Sequence, residues 1–370
     1  MGAPLARLVL LALLLISSVA TTGFGPPTLI ESESADTAVS SLTLKQMGAD
    51  RPPQIVAKAA VVIDAATGAV IYEKNAHQRR APASTTKMMT ALVTLEKARL
   101  DEVVTASPNV KVEPSIIGLD PGDQLTVEQL LYGLLLPSGN DAAVALADHV
   151  GGSMSRFAAL MNARAEQLGL KDTHFVNSHG LDVDGHYSSA YDLAIIARTA
   201  LQNPVFGKIV ATREYRIAAP IRWMFKNNNQ LLGSYPGADG VKTGYTDNAG
   251  RCLVASATRS SKRVISVVLD SDAMWDDSTA LLDYYFTNYD SVTLGEADNP
   301  LGSYGQGDEP RRTIVKAPVR VTFPMWQRPY LRRFFSIPPS DSSRDGNAGT
   351  VTYYLFGRKV GGVELYDDGD

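Results

Sequence analysis

The order of elements along the chain predicts an α+β fold: one antiparallel sheet beside a helical cluster, followed by a small C-terminal all-β domain. Three observations carry that expectation. Strand-like runs stand at both ends of the stretch 54–290, its middle reads as helix, and alternating runs return after Thr313.

Ala59 to Asp64 and Ala69 to Glu73 are strand-like and separated by Ala-Ala-Thr-Gly, a β-hairpin signal. Thr85 to Lys97 carries apolar residues at Met88, Met89, Leu92, Val93 and Leu95, the pattern of a largely buried helix. Two further helices are expected at Val127 to Leu136 and Asp141 to Val150, broken by Pro137-Ser138-Gly139-Asn140. Ser155 to Leu168 and Ala190 to Leu201 extend the helical middle. Strand character resumes from Val241, then at Cys252 to Thr258 and Val264 to Asp270, with Arg259 to Arg263 as the turn. Ser278 to Tyr289 closes the domain as a helix. After a linker at 291–312, Thr313 to Thr322 and Thr350 to Leu365 alternate as strands of a β domain at 313–370.

The first 20 residues read as a secretory signal peptide. Arg7 precedes an apolar run from Leu8 to Ile16, and Ser18-Val19-Ala20 suits cleavage, so the chain is expected to act extracytoplasmically, on the cell wall or periplasmic side. Residues 21–53, rich in Ser, Thr, Gly and Pro, read as a linker. The net charge of -4 leaves no basic field for nucleic acid. A single cysteine, Cys252, excludes a disulfide framework and multi-cysteine metal sites, and reads as a small buried apolar residue.

Three short motifs occur in order: Ser84-Thr85-Thr86-Lys87, Ser138-Gly139-Asn140 and Lys242-Thr243-Gly244. Each alone is weak, and their joint occurrence in fitting contexts is strong. With Ser84 at the first turn of the buried helix, i, i+3 spacing puts Lys87 beside its hydroxyl. Burial disfavours an ammonium, so Lys87 can act as a base near neutral pH. Amides at a helix N-terminus offer donors to an oxyanion.

This set resembles that of the penicillin-binding protein and β-lactamase superfamily. Within it, the chain is similar to the low-molecular-mass serine D-alanyl-D-alanine carboxypeptidases. The likeness is carried by Pro82 to Thr90, Ser138 to Ala142, Asp239 to Thr246, Asn177 to Leu181 and His186 to Leu193, and it spans about Ala57 to Tyr289. It implies a transpeptidase-like catalytic domain, with peptidoglycan stem peptides ending in D-Ala-D-Ala as substrate and β-lactam antibiotics as inhibitors. Ser84 would be the nucleophile, Lys87 the general base, Ser138 a proton relay and Asn140 the partner of Lys87 and of the substrate amide. Lys242 and Thr243 would bind the terminal carboxylate, Gly244 belongs to the same motif, and the backbone N–H groups of Ser84 and Tyr245 would form the oxyanion hole. No metal or cofactor is implied.

Two departures from that pattern stand out. Relatives use an arginine after the last sheet strand to bind the carboxylate, whereas Asp270 to Asp277 contains none, so Lys242 and Thr243 or an arginine elsewhere must serve. The chain also ends in acidic residues, Glu364 to Asp370, without the amphipathic helix of many relatives. The segment Phe323 to Phe335 mixes aromatic and basic residues as interfacial membrane segments do, so a peripheral membrane contact stands beside plain packing of the β domain. His174, His179 and His186 lack the spacing of a helical zinc motif and read as structural, and Asp182 and Asp184 as loop carboxylates.

Two other functions share these residues. A class A-like β-lactamase would need a glutamate-positioned water, and no Glu-x-x-Leu-Asn stands between the second and third motifs. A non-catalytic penicillin- and peptidoglycan-binding module would be expected to carry a damaged motif, and all three are intact.

Overall fold

The computed structural model describes residues 28–31, 51–217, 223–295, 303–304, 311–337 and 347–367. The expected signal peptide lies outside them. In chain order the strands are β1 (Thr28–Glu31), β2 (Ala59–Asp64), β3 (Val70–Lys74), β4 (Val103–Thr105), β5 (Gln124–Thr126), β6 (Glu214–Ile217), β7 (Trp223–Lys226), β8 (Ala238–Thr246), β9 (Gly250–Arg259) and β10 (Lys262–Leu269). They continue as β11 (Tyr289–Leu294), β12 (Ser303–Tyr304), β13 (Arg311–Ile314), β14 (Val319–Pro324), β15 (Leu331–Ile337), β16 (Asn347–Leu355) and β17 (Arg358–Asp367). The helices are α1 (Lys87–Lys97), α2 (Val127–Leu135), α3 (Asn140–Gly151), α4 (Met154–Gln167), α5 (Ala190–Ala200), α6 (Pro204–Ala211) and α7 (Met274–Asn288).

In the larger of two compact units, β3-β2-β10-β9-β8 form a five-stranded antiparallel sheet with β8 at one edge. The unbroken apolar run of β2 reflects burial on both faces. Ala59, Val61 and Ile63 join the core of the helical cluster, while Ala60 and Val62 join Leu281, Leu282 and Tyr285 of α7 on the other face. Cys252 is fully buried in the first of these cores, and burial pushes its thiol up to about 11, in keeping with an apolar role.

Three expectations need adjusting. The buried helix starts at Lys87 rather than Thr85, because Ala83–Thr86 forms a 3-10 turn. The backbone N–H and hydroxyl of Thr85 both donate to the carbonyl of Pro82, an i to i+3 closure that draws the chain into the tighter helix. Within the expected linker 21–53, Thr28–Glu31 forms a strand paired with β15. Past the expected boundary near Asp290, β11 pairs with β14 in the larger unit, so Val319–Leu331 stands apart from the other C-terminal strands. The alternating residues of β14 bury Val321 and Phe323 there, and strand pairing ignores sequence distance.

The smaller unit is all β, a sheet ordered β1-β15-β16-β17-β13-β12 around the hairpin of β16 and β17. In Phe323 to Phe335, Pro324 ends β14, and a 3-10 turn at Met325–Tyr330, with Pro329 inside it, comes before β15. No helix among the described residues is long and apolar enough to cross a membrane.

Candidate active site

Ser84 sits in the 3-10 turn and Lys87 follows as the first residue of α1. With three residues per turn, side chains at i and i+3 eclipse, which stacks the two more directly than an α-helix would. Lys87 is wholly buried, and its Nζ lies 2.9 Å from Ser84 Oγ, 2.7 Å from Asn140 Oδ1 and 2.7 Å from the carbonyl oxygen of His179. Burial holds its pKa well below the usual lysine range, and the neighbouring Lys242 lowers it further against the opposing pull of Asp141.

The second motif spans the corner between α2 and α3. Ser138 takes a left-handed conformation, φ 72°, and its buried hydroxyl has no hydrogen-bond partner among the described residues. Asn140 is held from both ends. Its backbone N–H donates to Ser115 at 2.7 Å, and its side-chain amide donates to the carbonyl of Pro114 while Oδ1 receives Lys87. Asp141 fixes the same 114–119 segment by accepting from the backbone N–H groups of Ile117, Gly118 and Leu119 at 2.8–3.0 Å.

The third motif lies on β8, the edge strand. Lys242 is almost fully buried, burial brings its pKa down to about 7, and its Nζ donates to the carbonyl of Thr243 at 2.9 Å. Gly244 permits the strand to approach the serine turn, since a Cβ there would lie 3.0 Å from Ser84 N and 3.1 Å from Ala83 Cβ. A side chain at this point would crowd the serine turn, whose backbone would have to shift by a few tenths of an ångström.

These residues meet at an open cavity of about 800 Å3. Ser84, Ser138, Thr243, Gly244 and Tyr245 line it, and Lys87, Asn140 and Lys242 lie buried. All eight expected site residues, seven from the motifs and Tyr245 beside the third, are thus assembled in one region from widely separated stretches of sequence.

Sequence reasoning missed the scaffold behind them. The loop 177–188 presses on the serine turn. Asn177 Oδ1 accepts from the N–H groups of His179 and Gly180, and its amide donates to the carbonyl of Leu181. This tight turn accompanies the carbonyl of His179 that faces Lys87. His186 Nδ1 accepts from the N–H of Val176 at 3.0 Å, which leaves its Nε2–H to donate to Thr86 Oγ1 at 2.9 Å. Burial lowers His186 to about 4 and His179 to about 3, so both rings are neutral. The structural reading of the three histidines fits these contacts, with His174 Nδ1 bonded to the carbonyl of Gly185. Asp182 does more than fill a loop, because it accepts from Thr246 Oγ1 at the end of β8.

An antiparallel sheet flanked by helices, with a serine turned against its edge strand, is the architecture of the penicillin-binding enzymes. Solved structures agree. Penicillin-binding protein 5 from Haemophilus influenzae superposes with a TM-score of 0.73 at 31% identity, covering 87% of this chain and 99% of that one. The Streptomyces K15 DD-transpeptidase gives a TM-score of 0.61 at 39% identity over 64% of this chain and 100% of that one. A sequence model described as D-alanyl-D-alanine carboxypeptidase matches residues 45–273, and the chain belongs to that family. D-alanyl-D-alanine carboxypeptidase DacA of Escherichia coli (strain K12) is 35% identical over 337 residues, 83% of this chain and 82% of that protein. DacF of Bacillus subtilis (strain 168) is 42% identical over 249 residues, and the match spans 64% of either chain. The family and fold expected from the motifs are borne out.

Proposed function

We propose that the protein is a serine D,D-carboxypeptidase that removes the terminal D-alanine of peptidoglycan stem peptides through an acyl-enzyme on Ser84. The observation that carries this reading is the buried Lys87, its amine held between Ser84 Oγ and two fixed oxygens. In its neutral form the amine has two hydrogens, which suit Asn140 Oδ1 and the carbonyl of His179. The remaining lone pair then faces Ser84 and accepts its proton.

As the Lys87 lone pair takes that proton, Ser84 Oγ bonds to the carbonyl carbon between the two D-alanines. The oxyanion so formed is received by the backbone N–H groups of Ser84 and Tyr245, at the point where Gly244 lets β8 meet the serine turn. The C–N bond then breaks, and the proton passes from Lys87 through the unpartnered Ser138 hydroxyl to the leaving nitrogen. D-alanine departs, and water attacks the ester carbon to release the shortened peptide and restore Ser84. Lys242 supplies positive potential, and Thr243 a hydroxyl, on the side of the substrate's terminal carboxylate. A β-lactam would acylate the same serine but keep its leaving nitrogen tethered after ring opening, which favours slow release.

No glutamate is among the described residues lining the cavity, which does not favour a β-lactamase with a glutamate-positioned water. In this reading the chain is exported by its N-terminal signal and works outside the cytoplasm on the wall. The test is release of D-alanine from a diacetyl-lysyl-D-alanyl-D-alanine tripeptide. Wild type should release it, and Ser84→Ala should neither release it nor be labelled by penicillin. Labelling retained in Ser84→Ala would refute the nucleophile.

A further inference from the structure

We propose that Arg251 supplies the permanent cation that holds the substrate's terminal carboxylate, a role that rests on the carboxypeptidase reading of the same cavity. A peptide substrate ending in a free carboxylate needs a charge at that end, both to bind and to reject chains that continue beyond it. The segment after the last sheet strand, Asp270 to Asp277, holds four aspartates and no arginine or lysine. Arg80, which reaches toward it, is paired with Asp270.

Of the described residues lining the cavity, Arg251 is the only lysine or arginine. Lys242 is buried and committed to the carbonyl of Thr243, and with a pKa of about 7 it holds only part of a charge at neutral pH. A guanidinium keeps its charge throughout this range.

The sheet register fixes where Arg251 begins. It is the cross-strand partner of Tyr245, with Thr243 two residues back along β8. The turn between the strands is pinned where Thr246 Oγ1 accepts from the N–H of Ala249, and the carbonyl of Arg251 accepts from the N–H of Ser271 at 3.0 Å. The backbone is therefore set, while the side chain is exposed and makes no ion pair or hydrogen bond among the described residues. Asp247 and Asp272 also line the cavity, and Asp247 is engaged by the hydroxyl of Tyr245 at 3.0 Å. A planar, fork-shaped donor set without an internal partner, on the rim shared by Ser84 and Thr243, matches a carboxylate in charge and geometry.

The experiment compares acylation of the full chain by benzylpenicillin and by its carboxyl methyl ester, alongside release of D-alanine from the diacetyl tripeptide and of D-alaninamide from its C-terminal amide. In Arg251→Ala, acylation by benzylpenicillin should slow by about ten- to hundredfold, the loss of one charge-assisted contact, while acylation by the methyl ester stays unchanged. Arg251→Lys should recover part of the loss. If Arg251→Ala slows acid and ester alike, or neither, the assignment is overturned. If wild type releases no D-alanine yet its penicillin acylation depends on Arg251 in this way, the carboxypeptidase reading falls and the carboxylate site stands.

Discussion

Gly180 lies so close to Ala83 that a Cβ at position 180 would overlap the Ala83 carbonyl oxygen, and its φ of 91° already favours glycine. The neighbouring His179 carbonyl binds Lys87, so the same contact that seats the loop also sets the base.

Gly180→Ala is therefore expected to push the loop off the serine turn. Strain of about 2 kcal/mol or more should lower the melting temperature by roughly 4 °C or more. Penicillin acylation should fall further than stability alone explains, because one acceptor of Lys87 moves. A variant that melts and acylates like wild type would contradict the clamp.

Lys87 and Lys242 are both buried, and the positive charge of Lys242 disfavours one on Lys87. Acylation needs neutral Lys87, so its rate should drop about tenfold per pH unit on the acid limb. Removing Lys242 in Lys242→Met relieves the repulsion and raises the pKa of Lys87. The acid limb of the acylation profile should accordingly move to higher pH; an unmoved or lowered limb would count against the coupling.

His186 is buried and neutral, with its pKa lowered from 6.5 to about 4. Between those values the unfolded chain binds the extra proton, so stability present above 6.5 is lost as pH falls toward 4, by roughly 3 kcal/mol for this group. Chemical denaturation between pH 7 and pH 4 should show that slope. It should flatten in His186→Gln, which can still bond Thr86 but does not titrate; His179 leaves a residual slope.

Asp141 gathers three backbone N–H groups of the segment whose Pro114 and Ser115 carbonyls hold Asn140. Asp141→Ala should cost about 3 kcal/mol in denaturant unfolding, because buried donors lose a charged acceptor. Asp141→Asn, which keeps one oxygen, should cost less. Equal stability of Asp141→Ala and wild type would rule out the anchoring role.

Much of this was legible because the residues that do chemistry are side chains of characteristic type. Ser84, Lys87, Ser138, Asn140 and Lys242 declare themselves by spacing, and β2 or α1 by the period of their apolar residues. The scaffold is quieter. The His179 carbonyl that holds Lys87 belongs to the backbone and leaves no signature in residue type. Likewise, Val319–Pro324 alternates as well for one sheet as for another, and only three-dimensional pairing assigns it to Tyr289–Leu294. The helix Pro204–Ala211 escaped notice at eight residues, too short for its period to show. Arg251 sits in a turn-flanked strand where nothing local separates a functional arginine from a solvated one.

The three oxygens around the Lys87 amine come from positions 84, 140 and 179, and they converge only when the helices, the corner after α2 and the loop beyond α4 are all docked. In a chain folded halfway, Ser84 would be as inert as any other serine. Covalent capture of penicillin is consequently a reporter of completed folding, and counting labelled molecules during refolding would time the final docking step.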